Sequence, residues 1–212
     1  NNIIDGTINK AILSRTKEYS IENKAILKNT HSPCTTFYID LLDSKRFFGS
    51  TPEILISINN KTYNSAAIAG TLKKEENKTN EVRLSEFLDD PKELLEHKYV
   101  VDDLTEKLDK RSDQINIAKK PELLELDHLY HLHTPISGTL KDNSHILDLL
   151  YELYPTPAVL GYPKESALEV IREHEPFDRG WYGGCVGWFD LDGNGRFDVA
   201  IRSALQSNRK LY

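Results

Sequence analysis

Four charged residues stand where their neighbours ask for a partner or a task. Residues 8–14, INKAILS, alternate as a strand does, so Ile8, Lys10 and Ile12 share one face and Lys10 falls between two branched apolar side chains. A strand-end lysine that snorkels to water is the ordinary alternative. Glu53 opens an apolar strand, Ile54 to Ile58, directly after Gly49-Ser50-Thr51-Pro52, where an exposed strand-end acid is the ordinary reading. Glu96 lies in a long helical segment, off its apolar stripe, and is either a solvated acid or a ligand reaching over an edge into a pocket. Arg202 falls inside an apolar strand, 196–205, where a charge needs a partner. The strand before it, 183–190, carries Gly183, Gly184 and Gly187, unfavourable there unless something approaches the backbone closely. A glycine floor beside an inward guanidinium describes a pocket for a small anion.

Two further patterns carry less. His128, His131 and His133 lie close together, but H-x-x-H-x-H without a cysteine is a weak metal signature. Asp190-Leu191-Asp192-Gly193-Asn194-Gly195 matches the first half of a calcium-binding loop, yet the twelfth position is Ile201 instead of a bidentate Glu, and the flanks read as strands. This is a hairpin turn. No P-loop, G-x-G-x-x-G, G-x-S-x-G or C-x-x-C motif occurs.

The chain has 212 residues, 39% hydrophobic and 28% charged, the balance of a globular protein with a real core. A net charge of −6 disfavours nucleic acid and anionic membranes as partners. No apolar run approaches the roughly 18 residues that span a bilayer, and NNIIDGTINK lacks the apolar core of a signal peptide. Cys34 and Cys185 are too few for a disulfide framework and suit a cytoplasmic protein with reduced thiols. The absence of Met reads as the mark of a fragment.

The elements that must position these residues can be read in outline. Strands are expected at 37–42, 46–49, 54–58 and 61–65, the last two joined at Asn59-Asn60. The small-residue run 66–71, AAIAGT, suits close backbone approach at Gly70. Residues 72–83 are charged and predict a mobile surface loop. A helix is expected over 91–108, with Pro91 in its first turn and Leu94, Val101, Leu104 and Leu108 as its stripe; Glu96, Val100 and Asp103 lie on another face. Helices are also expected over 144–153, stopped by Pro155, and over 164–174. Hairpins and separate helices together predict an α+β fold, antiparallel β-sheets packed together with helices on the outside.

Seven blocks in order resemble the chorismate-utilising enzymes, the family of isochorismate synthase, salicylate synthase, anthranilate synthase component I and aminodeoxychorismate synthase component I. They are KAILSR (10–15), FFGSTPE (47–53), AIAGT (67–71), K-x-x-x-E-H with VVDDL (92–104), LYHLHTPISG (129–138), YPTPAVLGYP (154–163) and EPFDRGWYGGCVGWFD through AIRSAL (175–205). Within the family, Ala69 stands where aminodeoxychorismate synthases often carry a nucleophilic lysine. The R-N-D signature of anthranilate synthases is absent from 101–111, and Lys10 matches the lysine of members that use water as nucleophile. RGWYGGCVGW looks most like the menaquinone-type isochorismate synthases, with salicylate synthase or a siderophore-pathway isochorismate synthase as alternatives and an inactive chorismate-binding relative as the non-enzyme one.

The resemblance implies that water adds at C2 of chorismate, the double bonds shift and the C4 hydroxyl leaves. By position, Lys10 matches the general base and Glu53 the general acid, which asks for a lysine pKa lowered by burial and a glutamate pKa raised by it. Glu96 matches a Mg²⁺ ligand, and Gly70, Thr71, His131, Thr156, Tyr182 and Arg202 match substrate-contacting positions. Tyr154 stands where the family usually has His. The resemblance also implies that residues 1–212 form the chorismate-binding catalytic domain, short of the family's glycine-alanine loop, of the helix with a second acidic metal ligand, and of the N-terminal region of full-length members.

Overall fold

The computed structural model describes residues 6–21, 33–41, 43, 45–75, 77–142 and 144–212. Leu42, the end of the expected strand 37–42, lies outside the described residues. The elements, in chain order, are β1 (Lys10–Ala11), β2 (Tyr19–Ser20), β3 (Thr35–Asp40), β4 (Lys45–Thr51), β5 (Ile54–Asn59), β6 (Thr62–Lys73), α1 (Asn80–Leu88), α2 (Pro91–Arg111), β7 (Ser112–Ile117), β8 (Glu122–Glu125), β9 (Leu129–Leu140), α3 (Ile146–Leu153), β10 (Gly161–Tyr162), α4 (Lys164–His174), β11 (Cys185–Phe189), β12 (Gly195–Val199), β13 (Ser203–Ser207) and β14 (Lys210–Leu211). The α+β expectation holds. One antiparallel sheet runs β11-β12-β5-β6-β9-β7 with β8 against β9, a second runs β2-β14-β13-β4-β3, and β1 pairs with β10. Among the described residues no helix is long and apolar enough to cross a membrane.

The core lies where α2 and α3 cover the first sheet. β9 alternates throughout, burying Tyr130, Leu132, Thr134, Ile136, Gly138 and Leu140. Its neighbour β6 buries the whole run Ser65 to Gly70, small side chains that let α2 come close. The Asp90 side chain caps α2 by accepting from the Lys92 and Glu93 amides, Pro91 occupies the first turn, and Lys110 and Arg111 complement the dipole at the other end. The helix buries His97, Val100, Leu104 and Leu108. The expected stripe was therefore rotated: Val100 is core and Leu94 packs at a margin with Phe87 and Leu132. A histidine at a core position broke the apolar pattern and shifted the reading. Residues 80–83, expected in a loop, begin α1, which is anchored by the buried Arg83 on the Lys73 carbonyl and by Phe87.

Two neighbouring strands change sheet. β4 belongs to the second sheet and β5 to the first, and the crossing is Pro52-Glu53. The expected single strand 196–205 is in fact β12 in the first sheet and β13 in the second, broken at residues 200–202. Arg202 has φ of 50°, left-handed backbone that no strand continues through, and its carbonyl accepts from the Ser50 amide. Apolar composition on both sides concealed the break. Gly183 and Gly184, expected in a strand, form a turn before β11 and exchange hydrogen bonds with Ala200.

The short β1–β10 pair places Lys10. Lys10 and Ala11 lie opposite Tyr162 and Gly161, extended by hydrogen bonds from the Asn9 and Ile12 amides to the Tyr162 and Leu160 carbonyls. Ala11 packs on Leu160, Ala167 and Ile171 of the α4 layer. Gly161 has φ of 127°, and a Cβ there would lie 2.2 Å from the Lys10 carbonyl oxygen, so only glycine permits this approach. A Gly161→Ala substitution is expected to destabilise the fold by about 1–3 kcal/mol, measured as a lower denaturant midpoint; an unchanged midpoint would mean the β1–β10 contact is not tightly set.

Candidate active site

Lys10 is a buried lysine, 6% exposed, with its Nζ 3.9 Å from Glu96 Oε2. Burial lowers its pKa below the ordinary lysine value, against the pull of Glu96, Glu53 and Glu93. Glu53 is fully buried at the sheet crossing, where its amide donates to Thr51 Oγ1 and its carbonyl accepts from the Val199 amide. Desolvation raises its carboxyl pKa to about 7, opposed by a long hydrogen bond from Thr156 Oγ1, at 3.4 Å, and by the Lys10 charge. A lysine pushed towards neutrality and a glutamic acid that retains its proton thus lie close enough for each to feel the other's charge. Neither side chain is the snorkelling lysine or the exposed strand-end acid that the residues alone suggested.

A second group stands at the bulge in β6. Gly70, with φ of 78°, sits where the β6–β9 register shifts between Ala69 and Thr71. A Cβ there would press on Glu93 Oε2 at 3.2 Å. The turned backbone presents the Gly70 carbonyl to His131 Nδ1 at 2.8 Å and the Thr71 amide to Glu93 Oε2 at 2.9 Å. Arg202 Nη2 lies 2.6 Å from His131 Nε2. A guanidinium can only donate, so His131 Nε2 accepts and the ring proton resides on Nδ1. Burial lowers the His131 pKa and the Arg202 charge lowers it further, consistent with a neutral ring. Arg202 is thereby held by a neutral partner; among the described residues no carboxylate pairs with it, and its charge is free to meet an anion.

The first turns of α2 join the two groups. Lys92 Nζ lies 3.0 Å from both Glu93 Oε1 and Glu96 Oε1, so a positive charge already stands between these carboxylates. Hard oxygen donors around a cation position fit a Mg²⁺ ion that keeps several waters. No group of three or more metal-type side chains converges among the described residues. Glu93 was not foreseen; the signal was its i, i+3 spacing from Glu96 on one helix face. His97 was also missed. It is buried, bonded through Nε2 to Thr134 Oγ1 at 2.7 Å, and burial lowers its pKa to about 4.

The structure thus brings Lys10, Glu53, Glu96 and Thr156 together, and joins them through Glu93 to Gly70, Thr71, His131 and Arg202. The ring of Tyr182 lies under the Arg179 guanidinium, 6.0 Å away, on the wall of a cavity of about 1060 Å³ that Leu13, Phe47, Trp181 and Tyr212 also line. His133 faces Glu122 of β8 rather than sharing a ligand with His131. The calcium-like segment is a turn in which Asp190 Oδ1 accepts from the Asp192 and Asn194 amides.

Comparison with known proteins places the chain among its relatives. The model of the family "Chorismate binding enzyme" matches residues 1–212. The isochorismate synthase MenF of Bacillus subtilis is 37% identical over 203 residues, 92% of this chain and 43% of that protein. The salicylate biosynthesis isochorismate synthase of Pseudomonas aeruginosa is 43% identical over 167 residues, 78% of this chain and 35% of that protein. A solved structure assigned as the 2,3-dihydroxybenzoate-specific isochorismate synthase DhbC of Bacillus anthracis superposes with a TM-score of 0.92 at 32% identity, covering 99% of this chain and 60% of that one. The chain spans about a third to a half of the length of the curated relatives it matches. The fold, the site and these likenesses lead to one family: the chain belongs to the chorismate-binding enzymes.

Proposed function

We propose that the chain carries the chorismate site of an isochorismate synthase that isomerises chorismate by adding water at C2 and losing the C4 hydroxyl. The observation that carries this reading is the joint burial of Lys10 and Glu53 with pKa values displaced in opposite directions. Water is a weak nucleophile, and a lysine lowered towards neutrality can take its proton as the C2–O bond forms. Hydroxide is a poor leaving group, and a glutamic acid still protonated near neutrality can donate to the C4 oxygen as that bond breaks. Thr156 steadies the Glu53 carboxyl, and Arg202, oriented by His131 and the Gly70 carbonyl, binds a substrate carboxylate with its planar fork. A Mg²⁺ ion held by Glu96, with Glu93 beside it, would neutralise and orient a carboxylate of the substrate. Likeness to the solved menaquinone-specific isochorismate synthase MenF of Escherichia coli, 32% identical and covering 84% of this chain, favours supply of menaquinone synthesis. Likeness to the Pseudomonas aeruginosa relative favours salicylate supply as a second reading, with the same isomerisation at its heart.

Incubation of the full-length protein with chorismate and Mg²⁺ should give isochorismate. Salicylate with pyruvate would move the reading to salicylate synthase, and no consumption would favour a binding relative. Lys10→Ala should abolish turnover with the fold intact; unchanged turnover would remove Lys10 as the base. Glu53 also makes folding pH-dependent. Its carboxyl ordinarily titrates at 4.5 and here at about 7, so the folded state keeps a proton that the unfolded state releases. This contribution to stability is full below the ordinary value and is lost as pH rises through about 7. Relative to the parent, Glu53→Gln should therefore gain on the order of 3 kcal/mol between acid and neutral pH, read from urea midpoints. Parallel stability curves would contradict the raised pKa.

A further inference from the structure

Arg179 and Glu175 lie outside the reacting constellation, yet they bind both of the segments that carry it. Glu175, its side chain 3% exposed, follows α4, and Arg179 lies one turn further on. Glu175 Oε1 accepts the Ser14 amide at 2.7 Å, and Glu175 Oε2 accepts Arg179 Nε at 2.8 Å. Arg179 then donates Nη2 to the Ile12 carbonyl at 2.7 Å and Nη1 to the Val159 carbonyl at 2.8 Å. Ile12 and Ser14 follow β1, the strand of Lys10, in the chain. Val159 lies three residues after Thr156, whose carbonyl accepts the Val159 and Leu160 amides.

We propose that Glu175 and Arg179 form a positioning pair that locks the Lys10 strand to the Thr156 loop and so sets the base against the acid. The proposal rests on the assignment of Lys10 and Glu53 as base and acid. The path is short: Lys10 through Ala11 to Ile12 just past the end of β1, across Arg179 to Val159, back to Thr156, and through its hydroxyl to Glu53. β1 is only two residues long, and its ladder partner β10 holds it on one side alone. A guanidinium fork supplies directed donors to two carbonyls and a carboxylate at once, which the single ammonium of lysine does not reproduce. Charge is therefore not enough at this position; the planar geometry sets the register.

The test uses Arg179→Lys and Glu175→Gln in the full-length protein. Each is expected to lower kcat about 10²-fold, the size of a roughly 1 Å misplacement, while KM for chorismate changes little. The pH profile should lose its displaced limbs as water reaches Lys10 and Glu53. An independent readout is competitive labelling of the Lys10 amine across pH without substrate, in which its midpoint should move up towards ordinary lysine in both variants. A folded Arg179→Lys variant with the parent's pH profile and Lys10 midpoint would overturn the proposal. Should Arg179→Lys fail to fold, Glu175→Gln, which keeps the shape, decides the matter by the same readouts. If the parent itself does not consume chorismate, the assignment beneath the proposal fails, while the Lys10 midpoint still reports whether the pair positions this residue.

Discussion

The structure depends on keeping a carboxyl group dry at the point where the chain passes from one sheet to the other. Glu53 occupies that crossing with its backbone paired to Thr51 and Val199, so it cannot move out to water without opening both sheets. An isolated buried carboxylate is costly, and the group answers by keeping its proton to about pH 7. Lys10 moderates that cost but is itself buried, and its own charged form is disfavoured. Each group would be ordinary at a surface. Placed together without solvent, they become an acid that holds its proton and a base that readily gives one up.

The sheet crossing places Arg202 as well. β12 pairs with β5 and β13 with β4, so the return strand must also change sheet beside the first crossing. The left-handed backbone at Arg202 makes that change, and its side chain reaches His131 of β9. The bulge at Gly70 completes the arrangement, because one displaced residue aims a carbonyl at His131 and an amide at Glu93. Site and fold share their irregularities: a crossing, a break and a bulge, each where regular pairing would have pointed the groups elsewhere.

Much of this was legible in the sequence, for physical reasons that differ by residue. The helices expected over 91–108 and 164–174 announce themselves through Pro91 and their apolar spacing, and the first runs on to Arg111. Lys10 between Ile8 and Ile12 carried a real burial signal, and the ordered blocks added the role. Glu53 carried none on its own, because the depth of a strand end depends on which sheet each neighbouring strand joins. The break at Arg202 was hidden because apolar residues flank it in both sheets, and the long-range pairing of β13 with β4 decides it. His97 misled the helix reading because a polar residue held by Thr134 can fill a core position. Tyr182 came from the resemblance alone, since no local pattern marks it, and it lies against Arg179.

The central claim is that Lys10 and Glu53 exchange a hydroxyl on the substrate ring with water. Turnover of chorismate by the full-length protein in water enriched in oxygen-18, read by mass spectrometry, tests it most directly. The isochorismate formed should carry one heavy oxygen, at the C2 hydroxyl. An unlabelled isomer, or label at any position other than C2, would contradict it.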